Sequence, residues 1–122
     1  MNEIDRKARA FEYKETPRPA GLYVVRNTKT GTSLFGSATD LPGMLNRQKF
    51  QLEMGSHPDR ELQADWDELG PDAFEFQVLD QLDMQGDANT DRTADLQVLK
   101  ALWLEKFTNS GVPLYKRSLR AP

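Results

Sequence analysis

The chain has 122 residues, of which 38% are hydrophobic and 29% charged, so it is long enough for one domain with a single core and too short for two. It contains no cysteine, which excludes disulfides, thiolate metal sites and thiol nucleophiles, and no apolar run of membrane-spanning length. Its first residues lack the apolar core of a secretory signal, so we expect a cytoplasmic protein without a membrane partner. A net charge of -3 argues against a grip on DNA over the whole surface, so any nucleic-acid surface must be a local patch.

A short amphipathic piece is predicted near the amino terminus, where Ile4, Ala8 and Phe11 follow one another at helical spacing. Prolines separate this piece from the next apolar run. We therefore interpret residues 1–18 as an amphipathic extension that covers an edge or an end of the fold. Residues 19–122 are interpreted as a single domain.

A β-hairpin is predicted next. Two short apolar runs, 21–27 and 33–37, are joined by polar residues that include a glycine, and a helix over 41–54 follows at once and covers one face. Alternation along the first strand directs Tyr23 to one face and Leu22 to the other. We expect one row of this strand to pack under the helices. Tyr23 either faces a cleft or supports the sheet as a half-buried aromatic residue.

The remaining elements complete an α+β fold. The patterns predict a helix over 59–69, a strand over 73–79 with alternating apolar and polar residues, and a helix over 93–107. The turn-rich stretch 83–91 between the last two is interpreted as a loop. The sequence thus predicts a small three-stranded antiparallel sheet flanked by helices.

His57, the only histidine, lies at the junction between the first two helices. We interpret it as a capping or surface residue, with Pro58 at the first position of the following helix. A lone histidine without a second ligand makes a poor metal site, so no metal role is assigned to it.

Lys100 is the unusual residue of the last helix. On a helical wheel it falls inside the apolar arc that contains Leu96, Trp103 and Phe107. A cation at this position either extends along the edge of the arc towards water or points into a polar cleft.

Several short segments of the predicted hairpin and the following helix occur in a specific order and spacing. Gly21-Leu22-Tyr23 opens the first strand, Leu34-Phe35-Gly36 lies in the second, and Gly36-Ser37 leads towards Leu41. These segments resemble the two signatures of the GIY-YIG nuclease family and the turn into its first helix. The resemblance continues through Gln51-Leu52-Glu53, Leu62-Gln63-Ala64 and Phe74-Glu75-Phe76, and it covers roughly residues 19–116. In this respect the chain is similar to short stand-alone bacterial members of the family.

The resemblance implies hydrolysis of a phosphodiester by two tyrosines, an arginine and a histidine on the first helix, a metal-binding glutamate on the last helix, and often a terminal asparagine. Tyr23 is present. Met44 occupies the position of the expected arginine, and Arg47 could replace that arginine because it lies one turn after Met44. The other expected positions hold residues without the expected chemistry, namely Leu34, Met44, Gln48, Lys100 and Lys116.

Two functions remain open at this point. The first is a catalytically impaired domain, a pseudoenzyme that contacts DNA or RNA phosphates, or else a protein partner; its basic surface would comprise Arg47, Lys49, Lys100, Lys116, Arg117 and Arg120. The second is an active DNA endonuclease in which Tyr23 and Arg47 serve with Mg²⁺ or Mn²⁺ held elsewhere. We rank the first higher and expect no cofactor or bound metal, because Lys100 replaces the expected metal-binding carboxylate.

Overall fold

The computed structural model of the chain describes residues 19–82 and 93–119. The strands are β1 (Gly21–Asn27), β2 (Ser33–Ala38) and β3 (Phe74–Gln81). The helices are α1 (Leu41–Glu53), α2 (Arg60–Leu69) and α3 (Thr93–Ser110), and short 3-10 turns span Pro71–Ala73 and Lys116–Leu119. The predicted extension 1–18, the predicted loop 83–91 and Arg120 lie outside the described residues.

The three strands form one antiparallel sheet in the order β2-β1-β3, with β1 in the centre. The predicted hairpin, the α+β class and the flanking helices are confirmed, and each predicted boundary lies within three residues of the observed one. None of the described helices has the length and apolar character needed to cross a membrane.

Both faces of β1 are buried, which corrects the expectation that only one row packs under helices. Tyr23 packs with Leu41 of α1, and Val25 packs with Leu62 of α2. On the opposite face, Leu22 and Phe35 join a cluster covered by the apolar side of α3. The prediction failed because β1 is the central strand of a three-layered arrangement, and strand order is not encoded in the alternation of a single strand.

Residues 113–119, here called the 113–119 segment, cover the outer edge of β2. The Ser33 N–H donates to Pro113 O (3.0 Å), and the Ser33 carbonyl accepts from the Tyr115 N–H (2.9 Å). Further along, the Phe35 N–H donates to Ser118 Oγ (3.0 Å). These bonds supply partners to an edge that would otherwise be open, and they fix the segment beside the sheet.

The Tyr115 side chain anchors this segment in the core. It is fully buried, its hydroxyl donates to Asp65 Oδ2 (2.7 Å), and it accepts from Asn27 Nδ2 (3.1 Å). Burial and the neighbouring Asp65 carboxylate raise the pKa of Tyr115, so it stays a neutral donor.

Removal of the Tyr115 hydroxyl tests this anchor. Tyr115→Phe removes the partner of the buried Asn27 amide and of the half-buried Asp65 carboxylate, so we expect the free energy of unfolding to fall by about 1–3 kcal/mol. Tyr23→Phe is the matched control, because the Tyr23 hydroxyl accepts only a long contact from Gln48 (3.5 Å); it should lower stability by about 1 kcal/mol or less. Urea unfolding of both variants measures the difference, and an equal or larger loss in Tyr23→Phe would contradict it.

Candidate functional site

Tyr23 lies flat across the edge strand because its neighbour there has no side chain. It pairs with Gly36 of β2, and a Cβ added at Gly36 would stand 2.7 Å from the Tyr23 hydroxyl oxygen. The glycine therefore leaves the space in which the aromatic ring crosses β2. Tyr23 is 9% exposed, so of the two predicted positions the structure favours an aromatic residue that supports the sheet.

A chain of polar side chains leads inwards from the Tyr23 hydroxyl. Gln48 Nε2 donates towards it (3.5 Å), while Gln48 Oε1 contacts His57 Nε2 (2.5 Å). On the other side of the imidazole, Nδ1 accepts from the Asp59 N–H (3.0 Å). Since Nδ1 is an acceptor, the ring proton sits on Nε2 and is donated to Gln48.

The sequence suggested that His57 is a capping or surface residue. The structure shows that it is neither. It is 1% exposed, and its backbone N–H donates to Gln63 Oε1 (3.0 Å). Helix α2 begins at Arg60, and its N-cap is Asp59, whose Oδ1 accepts from the Leu62 N–H (3.1 Å). Burial lowers the pKa of His57, opposed by Asp59, so the ring is neutral at pH 7.

Asp59 joins this chain to the 113–119 segment. Its second carboxylate oxygen, Oδ2, accepts from the Arg117 backbone N–H (3.0 Å). The same carboxylate thus caps α2 and holds the backbone that carries the Arg117 side chain. Through this bond, the position of Arg117 depends on the start of α2.

Two guanidinium groups act on the Tyr23 hydroxyl from separate parts of the chain. Burial raises the pKa of Tyr23, and the positive charges of Arg117 and Arg47 oppose that rise. The phenol is therefore protonated at neutral pH and is a poor base. A neutral hydroxyl donor with two cations nearby is suited to an anion, because all three groups favour negative charge.

Lys100 lies elsewhere. It is 8% exposed and its Nζ stands 5.7 Å from the centre of the Phe35 ring, on the face of the sheet opposite to Tyr23. Burial lowers the pKa of Lys100. Of the two predicted arrangements, extension into water is not observed, because the side chain is buried with its Nζ over an aromatic ring.

The other predicted basic residues are exposed. Arg47 and Lys49 lie on α1 and share an open groove, while Lys116 and Arg117 lie together beside the start of α2. The charges of Arg47 and Arg117 thus lie near enough to act on the Tyr23 hydroxyl, whereas Lys100 lies on the opposite face of the sheet.

Gln48, His57 and Asp59 are the site residues that sequence reasoning missed. Gln48 was noted only for the absence of a histidine, and nothing in the spacing shows that an imidazole nine residues later meets its amide. The one available signal was Asp59 before a helix-like pattern, which marks an N-cap.

The described residues do not provide the metal ligands that the resemblance implies. The expected glutamate position holds Lys100 against Phe35, and residues 19–82 and 93–119 contain no group of three histidine, aspartate or glutamate side chains placed to share an ion. Leu34, at the second expected tyrosine, is 1% exposed in the core beside Leu52 and Leu62. Around Tyr23 the arrangement offers a hydroxyl donor and two positive charges, which suit an anion.

No protein-family model and no curated protein matches the chain. Among solved structures, the catalytic domain of the intron endonuclease I-TevI, in a mutant form, superposes with a TM-score of 0.62 at 21% identity, over 80% of this chain and 92% of that one. A structure of the catalytic domain of the homing endonuclease I-TevI gives 0.60 at 21% identity, over 77% and 94%. The chain therefore has a GIY-YIG-like fold. At this identity the similarity establishes the fold and leaves activity open.

The protonation of His57 is directly measurable because it is the only histidine in the chain. We expect long-range ¹⁵N NMR correlations to show the Nε2–H tautomer and a pKa below the ordinary 6.5. The neutral ring then contributes stability that is fully present above pH 6.5 and is lost as the pH falls through the folded-state pKa.

His57→Gln is the control, since glutamine does not titrate. The free energy of unfolding of this variant should therefore fall less than that of the wild type as the pH is lowered below 6.5. A wild-type pKa at or above 6.5, or the Nδ1–H tautomer, would show that the described hydrogen bonds are wrong.

Proposed function

We propose that this chain is a catalytically impaired GIY-YIG-like domain that binds the phosphates of nucleic acid without hydrolysing them. Tyr23, Arg47 and Arg117 form the centre of the surface. Lys49 and Lys116 flank it.

The observation that carries the proposal is the electrostatic surrounding of Tyr23. Arg47 from α1 and Arg117 from the 113–119 segment both act on its hydroxyl, and both are exposed. An anion bound beside the Tyr23 hydroxyl would interact favourably with both positive charges, which come from distant parts of a chain with net charge -3. A phosphate suits this position because guanidinium groups match its geometry.

Hydrolysis is not supported by the same groups. A protonated Tyr23 does not activate water, and Gln48, which contacts it, neither takes nor gives a proton. His57 is a base in principle, but its Nδ1 is occupied by the Asp59 N–H and its Nε2 proton faces the Gln48 amide. No described carboxylate cluster replaces the expected metal ligand.

Salt dependence of binding tests the phosphate contacts. On duplex DNA we expect weak to moderate affinity that falls steeply with salt, and Arg47→Ala or Arg117→Ala should each weaken binding and reduce the log-log slope by about 0.9. Arg117→Ala keeps the backbone N–H that bonds Asp59. Fluorescence anisotropy titrations at several salt concentrations measure both quantities.

Lys100→Met is the matched control, because it removes a charge while preserving the packing over Phe35. It should leave the slope unchanged. Equal slopes in wild type, Arg47→Ala and Arg117→Ala, or no binding at low salt, would overturn the proposal and favour a protein partner.

Cleavage assays test the loss of catalysis. We expect the wild type to leave supercoiled, linear and single-stranded DNA intact with Mg²⁺ or Mn²⁺. Lys100→Glu alone should not gain nicking, because the new carboxylate would be buried beside an aromatic ring on the face away from Tyr23. Wild-type cleavage that EDTA and Tyr23→Phe both abolish would instead establish an active nuclease.

A further inference from the structure

Helix α1 carries an exposed aromatic side chain beside the proposed phosphate contacts. Phe50 is 61% exposed and lies one turn after Arg47. Together with Gly43, Asn46, Lys49 and Glu53, these two residues line one open groove along the helix. The groove therefore combines a bare aromatic face, two cations, an amide and one carboxylate.

We propose that this groove binds a single-stranded nucleic acid, with an unpaired base stacked on Phe50 and the adjoining phosphates held by Arg47 and Lys49. This inference rests on the proposed function and adds the class of nucleic acid and the residue that recognises its bases.

The spacing of the groove residues suits one nucleotide. Three residues along a helix correspond to a rise of about 4.5 Å and to nearly one turn, so Arg47 and Phe50 are neighbours on the helix surface. Surfaces that bind single strands combine cations that follow the backbone with aromatic faces on which bases stack. The α1 groove presents both elements on one turn of helix.

Charge gives the strand a direction on the groove. Glu53 lies one turn beyond Phe50, on the side away from Arg47, and its carboxylate repels a phosphate. The backbone is therefore favoured at the Arg47 end, where Arg117 also acts on Tyr23. In this arrangement the base lies on Phe50, and its phosphates are held by Arg47 and Lys49.

Duplex DNA fits this surface less well. In a duplex each base face is covered by its neighbours, so a side chain on the outside of a helix reaches a base face only when the stack is opened, at a cost of a few kcal/mol per step. The net charge of -3 offers little additional attraction to offset that cost. An unpaired strand presents its bases without this penalty.

The test uses the full chain and three labelled probes of equal length: oligothymidine, the same backbone without bases, and a duplex. We expect the wild type to prefer oligothymidine. Phe50→Ala should weaken its binding about 5- to 150-fold while leaving the salt slope and the affinity for the abasic strand unchanged. Phe50→Trp should retain or strengthen binding, and Arg47→Ala should weaken all three probes.

Leu102→Ala is the matched control, since Leu102 is also an exposed apolar helix residue (51%), on α3. This variant should leave the affinity for each probe and the salt slope unchanged. If Phe50→Ala binds oligothymidine as the wild type does, or weakens the abasic probe equally, the stacking inference is wrong while phosphate binding stands. If no probe binds the wild type, the proposed function itself fails.

Two other occupants of the groove give different results. If a second copy covers Phe50, analytical ultracentrifugation will show a dimer that Phe50→Ala dissociates. If residues 1–18 of the same chain cover it, Phe50→Ala will lower the melting temperature far more than Leu102→Ala does. Either result overturns the inference.

Discussion

The outer edge of β2 imposes the constraint on which the rest of the site depends. An edge strand presents backbone groups that need partners, and Pro113, Tyr115 and Ser118 provide them. With that pairing in place, Tyr115 enters the core and Arg117 follows at the surface, close enough for its charge to act on Tyr23. One requirement of backbone hydrogen bonding thus assembles a cationic site from residues almost a hundred positions apart in the chain.

The buried polar side chains behind Tyr23 form a hydrogen-bond network that stabilises the fold. The Asp59 N–H donates to His57 Nδ1, and the His57 Nε2–H donates to Gln48 Oε1, so each donor in this chain faces an acceptor. A buried network in which every group is satisfied is stable and resists changes of protonation. Such a network positions Arg117 through its backbone N–H, which donates to Asp59.

Periodicity predicted the elements because each depends mainly on its own residues: alternation gave the strands, and the apolar arc gave α3. Contacts between elements were harder to predict. Lys100 was correctly singled out as a cation inside an apolar arc, yet only the position of Phe35 across the interface decides what it touches. The contact of Gln48 with His57 depends on how the chain turns between α1 and α2, which neither residue encodes alone. Burial on both faces of β1 likewise follows from strand order, a property of the whole sheet.

Three of the five positions that depart from the nuclease pattern have a clear structural role. Leu34 fills the core beside Leu52, Gln48 accepts the His57 proton, and Lys100 lies over Phe35. These roles are independent of one another, since they lie in different clusters or on different faces of the sheet, so a single reversal restores one group and removes one packing contact. The two arginines near Tyr23 are different, because no core contact accounts for their exposed positions. The packing contacts therefore account for Leu34, Gln48 and Lys100, whereas the proposed anionic ligand gives a role to Arg47 and Arg117, whose charges both act on a neutral phenol.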